Sequence, residues 1–210
     1  MTYQRGSLTP LFLSLALAVG VTTGTALAQD VPASAEAVKD TKPAAPEVEG
    51  RKGRLDRLFA ELKRERDPQK AKRISNRIWI AWSSWDDDSI DLLMRRSSQA
   101  IDANQLPMAL DILDQIVALA PDYAEAWNRR ATVHFMRGDF ELSIADVEQT
   151  LALEPRHFGA LTGLAQMMQA LDENERAIVA LQQALNVYPA MEGPKQALIR
   201  LLEETEGESL

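Results

Sequence analysis

Three prolines, Pro121, Pro155 and Pro189, stand 34 residues apart, and the residues between them repeat in kind. A fixed period of this size is typical of stacked helix–turn–helix units, each of which buries its apolar face against its neighbours. Such stacks present an extended, curved surface to another molecule. The spacing therefore predicts an all-α solenoid and favours binding over catalysis, without indicating what is bound.

Each unit carries small side chains where its two helices are predicted to cross. In the first helix a large residue is followed four positions later by a small one, as in Trp127 and Ala131. Another small residue recurs in the second helix, and small side chains let two helix axes approach closely. The proline then ends the second helix. The small residues are Ser97, Ala131 and Ala165 in the first helices and Ala109, Ser143 and Ala177 in the second helices.

This framework resembles the tetratricopeptide repeat, whose pattern runs W-x₂-L-G-x₂-Y, then A-x₃-F, then P over the same period. The resemblance covers residues 90–191 as three units, 90–123, 124–157 and 158–191. It implies an all-α solenoid of helical hairpins and a protein or peptide partner. Four positions depart from the family pattern: Arg96 and Arg130 replace apolar residues, His134 replaces an aromatic residue and Ser143 replaces alanine.

In this family the ligand usually lies on the concave face, which the first helix of each unit lines. Carried over residue by residue, the resemblance implies a groove of polar and adaptable side chains, suited to an extended peptide. The lysines that clamp a terminal carboxylate in chaperone-binding members have no counterpart here. The implied groove residues are Asp91, Met94, Ser98, Glu125, Asn128, Thr132, Met136, Thr162, Gln166 and Gln169.

Two arginine pairs, 95–96 and 129–130, recur at the same period. A ladder of guanidinium groups would hold the carboxylates of a partner, so Arg95 and Arg129 join the candidate groove. The sequence favours a simpler interpretation. Asp91 precedes Arg95, and Glu125 precedes Arg129, at the i,i+4 spacing of ordinary stabilising pairs on one helix.

Two segments precede the predicted fold. Residues 1–28 are typical of a secretory signal peptide, with Arg5 ahead of a short apolar run and small residues before a cleavage site at Ala28. The run is too short to span a bilayer. Residues 29–53 are rich in alanine and proline and predict a disordered linker. Because the chain lacks cysteine, it has neither disulfides nor a lipid-modified cysteine, and we expect a soluble periplasmic protein.

A helical hairpin, residues 54–89, is predicted ahead of the first unit as a cap of the solenoid, and a degenerate fourth unit is one interpretation of it. Asp67 and Pro68 separate its helices, an N-cap followed by proline at the first helical position. At the other end, residues 192–210 predict a capping helix from Pro194 to Glu204 and an acidic tail. The two apolar stripes of the hairpin are Leu55, Leu58, Phe59 and Leu62, then Ile74, Ile78, Ala81, Trp82 and Trp85.

Charge is divided unevenly along the chain. Residues 51–77 hold 11 basic and 4 acidic residues, whereas residues 78–210 hold 9 basic and 22 acidic residues. Such asymmetry indicates an anionic partner for the hairpin, such as a membrane leaflet, an envelope polymer or an acidic protein. The alternative is a solvated helix face, attracted to the acidic repeats of the same chain. The candidate anionic-surface contacts are Arg51, Lys52, Arg54, Arg57, Lys63 and Arg64.

Other candidate sites have simpler explanations. The tryptophans at 79, 82 and 85 could form an aromatic ligand platform, but their spacing favours packing. The acidic run 86–88 lacks the glycine and distal glutamate of a calcium loop and stands where a helix near Ser89 needs a cap. His134 and His157 share no metal-ligand spacing with acidic residues. No nucleophile or cofactor motif is present, so we expect neither an enzyme nor a bound cofactor or metal.

Two hypotheses follow from these patterns. The first is a periplasmic adaptor whose repeats bind a peptide or protein in envelope assembly or secretion. The second is an envelope-associated structural protein that acts through its basic hairpin. Nucleic acid is not an expected partner, because the chain carries a net charge of −8 and an export signal. Association between copies through the end helices is a further possibility, since repeat stacks can continue across chains.

Overall fold

The computed structural model describes residues 50–207, with side chains described as far as Thr205. The predicted signal peptide, most of the predicted linker and the last three residues of the acidic tail lie outside this range. The described residues form nine α-helices and no strand, which confirms the all-α class. The helices are α1 Arg51–Arg64, α2 Pro68–Trp82, α3 Asp88–Asp102, α4 Leu106–Leu119, α5 Ala124–Arg137, α6 Phe140–Leu153, α7 Phe158–Ala170, α8 Asn174–Val187 and α9 Glu192–Gly207.

Three antiparallel helix pairs, α3/α4, α5/α6 and α7/α8, correspond to the three repeat units. The predicted small residues are all buried at the crossing of each pair. Ser143, which replaces alanine, is accommodated because its hydroxyl donates to the carbonyl oxygen of Ala131 at 2.7 Å. The polar group therefore finds a partner inside the contact, as a buried hydroxyl requires.

Arg130, which replaces an apolar residue, joins the first two units. Its guanidinium donates to Asp146 at 2.7 and 2.8 Å and to Asp114 of the preceding unit at 2.8 Å. It also lies over the ring of Trp127, 4.7 Å from the ring centroid. The hydrogen bonds with Asp146 and Asp114 raise the pKa of Arg130. The departure from the family pattern thus adds an ionic bridge between repeats.

Two predicted boundaries are wrong by a few residues. Helix α1 begins at Arg51, inside the predicted linker, because Gly50 lies at the N-cap and one helical turn precedes Leu55, the first buried side chain. Helix α9 begins at Glu192 rather than Pro194, since a proline is tolerated anywhere in the first turn, where the N–H groups lack intrahelical acceptors.

The interpretation of the N-terminal hairpin as a fourth stacked unit is wrong. Helices α1 and α2 instead pack against the third unit, where their apolar stripes share one buried cluster with Phe158 and Tyr188. Phe158 is the first residue of α7, and Tyr188 follows the last residue of α8. The apolar stripes of the hairpin therefore pack at the start of α7 and the end of α8.

Aromatic rings form the centre of this contact. Trp82 stacks on His157, with ring centroids 4.0 Å apart and an interplanar angle of 7°. Trp79 meets the same histidine edge-on at 5.4 Å and Phe158 edge-on at 5.6 Å. Trp85 stacks on Tyr123 at 4.8 Å. The packing interpretation of these tryptophans is therefore confirmed.

His157 also fixes a buried carboxylate. Its Nδ1 accepts the backbone N–H of Ala160 at 3.1 Å, so the proton of the neutral ring resides on Nε2, which donates to Glu125 at 3.1 Å. Glu125 accepts a second bond from Arg129 at 2.8 Å. Burial opposes ionisation of Glu125, but His157 and Arg129 outweigh burial and hold its pKa below the ordinary value of 4.5. A buried charge is stable only with such partners.

Gly159 offers a direct test of the docked hairpin. A methyl group at this position would lie 2.7 Å from the ring of Trp79, which Trp82 and His157 hold on other sides. We expect Gly159→Ala to lower the free energy of unfolding by about 1–3 kcal/mol in chemical denaturation. Gly163→Ala on the same helix has open space and should be neutral, or stabilising by up to about 1 kcal/mol. Equal effects of the two substitutions would contradict the contact.

Acid should weaken the contact of Glu125 with His157. Because folding lowers the pKa of Glu125, its carboxylate stabilises the fold fully above about pH 4.5, and this contribution is lost as the pH falls through the folded-state pKa. We expect Glu125→Gln to cost about 2–3 kcal/mol near neutral pH and progressively less toward about pH 3 in urea denaturation. Glu148→Gln, an exposed control, should show no such trend. A pH-independent cost for Glu125→Gln would rule out the ionised pair.

Candidate functional site

A depression of about 170 Å³ lies between α5 and α7, the first helices of the second and third units. Ala131, Val147 and Met167 are among its apolar lining residues, and Gly159 and Gly163 leave space on the α7 side. The sequence did not single out these two glycines. Four predicted groove residues line the same depression: Asn128, Thr132, Thr162 and Gln166.

Hydrogen-bond acceptors dominate the polar lining. The hydroxyl of Thr132 donates to the carbonyl of Asn128 at 3.0 Å, and that of Thr162 donates to the carbonyls of Phe158 and Gly159. The amide nitrogen of Asn128 donates to Glu125 at 3.1 Å. With their protons used, the two hydroxyls present their oxygens as acceptors, while the amides of Asn128 and Gln166 offer an oxygen acceptor and further N–H donors. Gln166 is exposed and has no hydrogen-bond partner among residues 50–205.

Apolar side chains flank the open end of the depression. Phe135 lies in its wall and packs on Phe140 at a centroid distance of 5.7 Å. Met136, a predicted groove residue, is exposed next to it, and Gln169 is half-buried on α7. An exposed methionine beside an aromatic ring offers an adaptable apolar contact.

The N-terminal hairpin closes the opposite edge of the groove. Asp91 accepts hydrogen bonds from the hydroxyl of Ser84 and the backbone N–H of Trp85. Glu125 is held by His157, and Gly159 lies under Trp79. Asp91, Glu125 and Gly159 each hold the second position of a repeat unit. Each is therefore already in contact with the hairpin or with His157, on which the hairpin packs.

The prediction is wrong for two groove residues, because both are buried. Met94 has 3% of its surface exposed and packs in the buried cluster of the first unit with Ile90 and Leu113. Glu125 has 2% exposed because it serves as the buried partner of His157 and Arg129. Neither side chain is accessible to a ligand. Ser98 is half-buried, and its hydroxyl donates to the carbonyl of Met94 at 2.9 Å.

The arginine ladder does not form. Arg129 pairs with Glu125 as the i,i+4 spacing predicts, and it also donates to the hydroxyls of Ser98 and Ser83. The corresponding predicted pair of Asp91 with Arg95 does not form, because Asp91 accepts hydrogen bonds from Ser84 and Trp85 instead. Arg95 is exposed and has no ion pair among residues 50–205.

The basic residues of the hairpin divide into two groups. Arg51 is half-buried, with its guanidinium 5.1 Å from the ring centroid of Trp85 and 5.7 Å from that of Tyr123. Arg51 is therefore recessed beside aromatic rings rather than fully open to solvent, and its contact with an anionic partner stays a prediction. The other predicted contacts are exposed: Lys52, Arg54, Arg57, Lys63 and Arg64.

Asp87 is a helix cap, as the sequence analysis favours. Its carboxylate accepts the backbone N–H groups of Ser89 and Ile90 at 2.8 and 3.1 Å. Within the described part of the chain, no group of three or more His, Cys, Asp or Glu side chains is placed to hold a metal ion. None of the helices described between residues 50 and 207 combines the length and hydropathy needed to cross a bilayer.

Known proteins resemble this chain in sequence and fold. A TPR repeat-containing protein of Rhizobium etli is 44% identical over 156 residues, which cover 74% of this chain and 76% of that protein. The Sgt2 TPR domain from Aspergillus fumigatus superposes with a TM-score of 0.55 at 18% identity, over 59% of this chain and 83% of that domain. The first TPR domain of Spaghetti, bound to an HSP90 peptide, superposes with a TM-score of 0.55 at 16% identity, over 58% and 96% of the two chains.

No family model matches the chain. The relationship rests on the curated relative, whose identity and coverage extend over most of both proteins. The repeat spacing, the buried small residues and the helix pairs agree with it. The chain therefore belongs to the tetratricopeptide-repeat (TPR) proteins.

Proposed function

We propose that this protein is a non-enzymatic adaptor of the periplasm, whose groove between α5 and α7 binds an extended segment of a partner in cell-envelope assembly or secretion. The observation that carries this proposal is the row of acceptors in the groove, formed by Asn128, Thr132, Thr162 and Gln166. The predicted signal peptide, residues 1–28, supports the proposed compartment.

An extended peptide matches this chemistry better than a small charged ligand. Its backbone N–H groups need acceptors, and the threonine and amide oxygens provide them without a formal charge. The adjacent Phe135 and Met136 can receive an apolar side chain. The nearest arginine, Arg129, is already paired with Glu125 and is therefore not free to fix a carboxylate.

The structure of Spaghetti with an HSP90 peptide supports a peptide ligand, since a similar arrangement of helices holds a peptide there. The lysines that clamp a terminal carboxylate in chaperone-binding members are absent from this groove. The partner proposed here is accordingly recognised through its backbone and an apolar side chain rather than through its C-terminal charge.

A triple substitution that removes the acceptors while keeping side-chain volume tests the groove. We expect Thr132→Val, Thr162→Val and Gln166→Met together to weaken partner binding by at least about tenfold, since each lost hydrogen bond is worth about 0.5–1.5 kcal/mol. A photocrosslinker at Gln166 in intact cells should yield one dominant adduct, which the two valine substitutions diminish. The matched position Gln182, exposed on α8, should yield none. Equal adducts from both positions would contradict the groove.

The alternative function uses the outer face of the hairpin. Because α1 and α2 dock through their apolar stripes, exposed cations such as Arg54, Lys63 and Arg64 remain on the surface. Their substitution by glutamine should abolish salt-sensitive binding to vesicles containing anionic phospholipid if this face acts on an anionic surface. Vesicle binding that persists after these substitutions would reject this alternative. So would an absence of vesicle binding by the unsubstituted protein.

Charge substitution is a sharper test of this face than truncation. Deleting residues 29–66 would remove α1 with its buried side chains Leu58 and Leu62 and would uncover Ile78 on α2. Loss of partners after truncation would then report the loss of the packed hairpin as well as the loss of its charge.

A further inference from the structure

A cleft of about 720 Å³ lies where the start of α1 meets the turns between repeat units. It is lined by Arg51 and Lys52 on the hairpin and by Asp122 and Leu153 on the repeats, with Trp82 and Trp85 between them. It shares none of its lining residues with the groove between α5 and α7. It is therefore a separate concavity, built from the hairpin and the repeats together.

Two cations at the cleft form no ion pair with the described residues. The guanidinium of Arg51 lies on the rings of Trp85 and Tyr123, and its N–H groups meet no acceptor among the described residues. Lys52 is exposed and likewise has no ion pair there. Both occupy the first turn of α1, which contains no acidic residue and where the helix dipole is already positive. No acidic residue of that turn offsets their positive charge, and the acidic residues that line the cleft are Asp122 and Glu154.

A third cation of the cleft provides an internal contrast. Arg156 pairs with Glu154 at 2.8 Å and with Asp56 at 2.6 Å, and its guanidinium lies 4.2 Å from the ring centroid of Phe59. The hydrogen bonds with Glu154 and Asp56 raise the pKa of Arg156. Its charge is paired with carboxylates of the fold, whereas that of Arg51 contacts only aromatic rings and that of Lys52 has no ion pair among the described residues.

Part of the cleft wall is apolar. Leu153 has 36% of its surface exposed, although it is a large aliphatic side chain. Trp82 lines the cleft from the hairpin side, and its buried indole N–H meets no acceptor among the described residues. Unpaired cations beside an apolar wall suit a ligand that carries both a carboxylate and a large apolar group.

We propose that this cleft is a second binding site, for an acidic segment of a partner protein in which a large apolar side chain adjoins the carboxylates. The guanidinium of Arg51 is recessed, so a protruding side chain reaches it and a flat membrane does not. The carboxylate of Asp122 has no ion pair among the described residues. Its negative charge disfavours ligands with closely spaced anionic groups more than ligands with single carboxylates. This site is independent of whether the groove binds a peptide.

Fluorescence anisotropy with a labelled peptide of alternating leucine and glutamate tests the proposal on the full chain. We expect this peptide to bind at least about tenfold more tightly than its leucine–glutamine counterpart. Arg51→Gln should weaken binding at least about tenfold, and Arg51→Lys should weaken it less, because charge is kept while the guanidinium fork is lost. Asp122→Asn should tighten binding by removing a repulsive carboxylate.

Controls separate this site from the fold, the groove and the outer face. Arg54→Gln changes an exposed cation of the same helix outside the cleft and should alter affinity by less than about twofold. Asp122→Asn removes no contact of the fold, so its effect is readable even if Arg51→Gln lowers stability. Equal affinity for the two peptides, unchanged affinity in both Arg51→Gln and Asp122→Asn, or loss of binding through Thr162→Val and Gln166→Met would overturn the proposal. Anionic-vesicle binding that depends on Arg51, without peptide binding, would also overturn it.

Discussion

The stack of Trp82 on His157 determines how the hairpin, the repeats and the groove are arranged. His157 caps α7 through Nδ1, donates to Glu125 through Nε2 and presents its ring face to Trp82. These three contacts constrain one another, because the cap at Nδ1 fixes both the orientation of the ring and the position of its proton on Nε2. The buried carboxylate in turn has no accessible water and depends on this donor. One fully buried side chain thus joins a helix terminus, an ion pair and the docking of two helices.

Closing one edge of the groove changes what the groove can bind. The second residue of each first helix meets the hairpin, directly or through His157, instead of a ligand. What remains open is the stretch from Asn128 to Met136 and the facing part of α7, where oxygen acceptors and apolar groups predominate. The hairpin therefore limits the extent of the proposed groove without lining its depression.

Features with local or periodic origin could be predicted from the sequence. The caps at Asp67 and Asp87 depend on residues two and three positions away, and the buried small residues recur at the repeat period. The docking of the hairpin could not be predicted, because an apolar stripe indicates that a helix packs against another surface but not which surface this is. The pair of His157 with Glu125 spans 32 residues and matches no local spacing. One signal was present: Gly159 stands where the other units carry Asp91 and Glu125, and a glycine at such a position indicates a close approach.

The uneven charge of the chain is not explained by the docking of its own parts. If the basic hairpin were attracted to the acidic repeats, basic residues of α1 and α2 would pair with acidic residues of the repeats. An ion pair between the two parts has the opposite sense, with Asp56 on the hairpin and Arg156 on the repeats. Aromatic and aliphatic burial joins the two parts instead. Cations such as Arg54, Lys63 and Lys52 are therefore left at the surface, where they are available to the anionic partner of the alternative proposal.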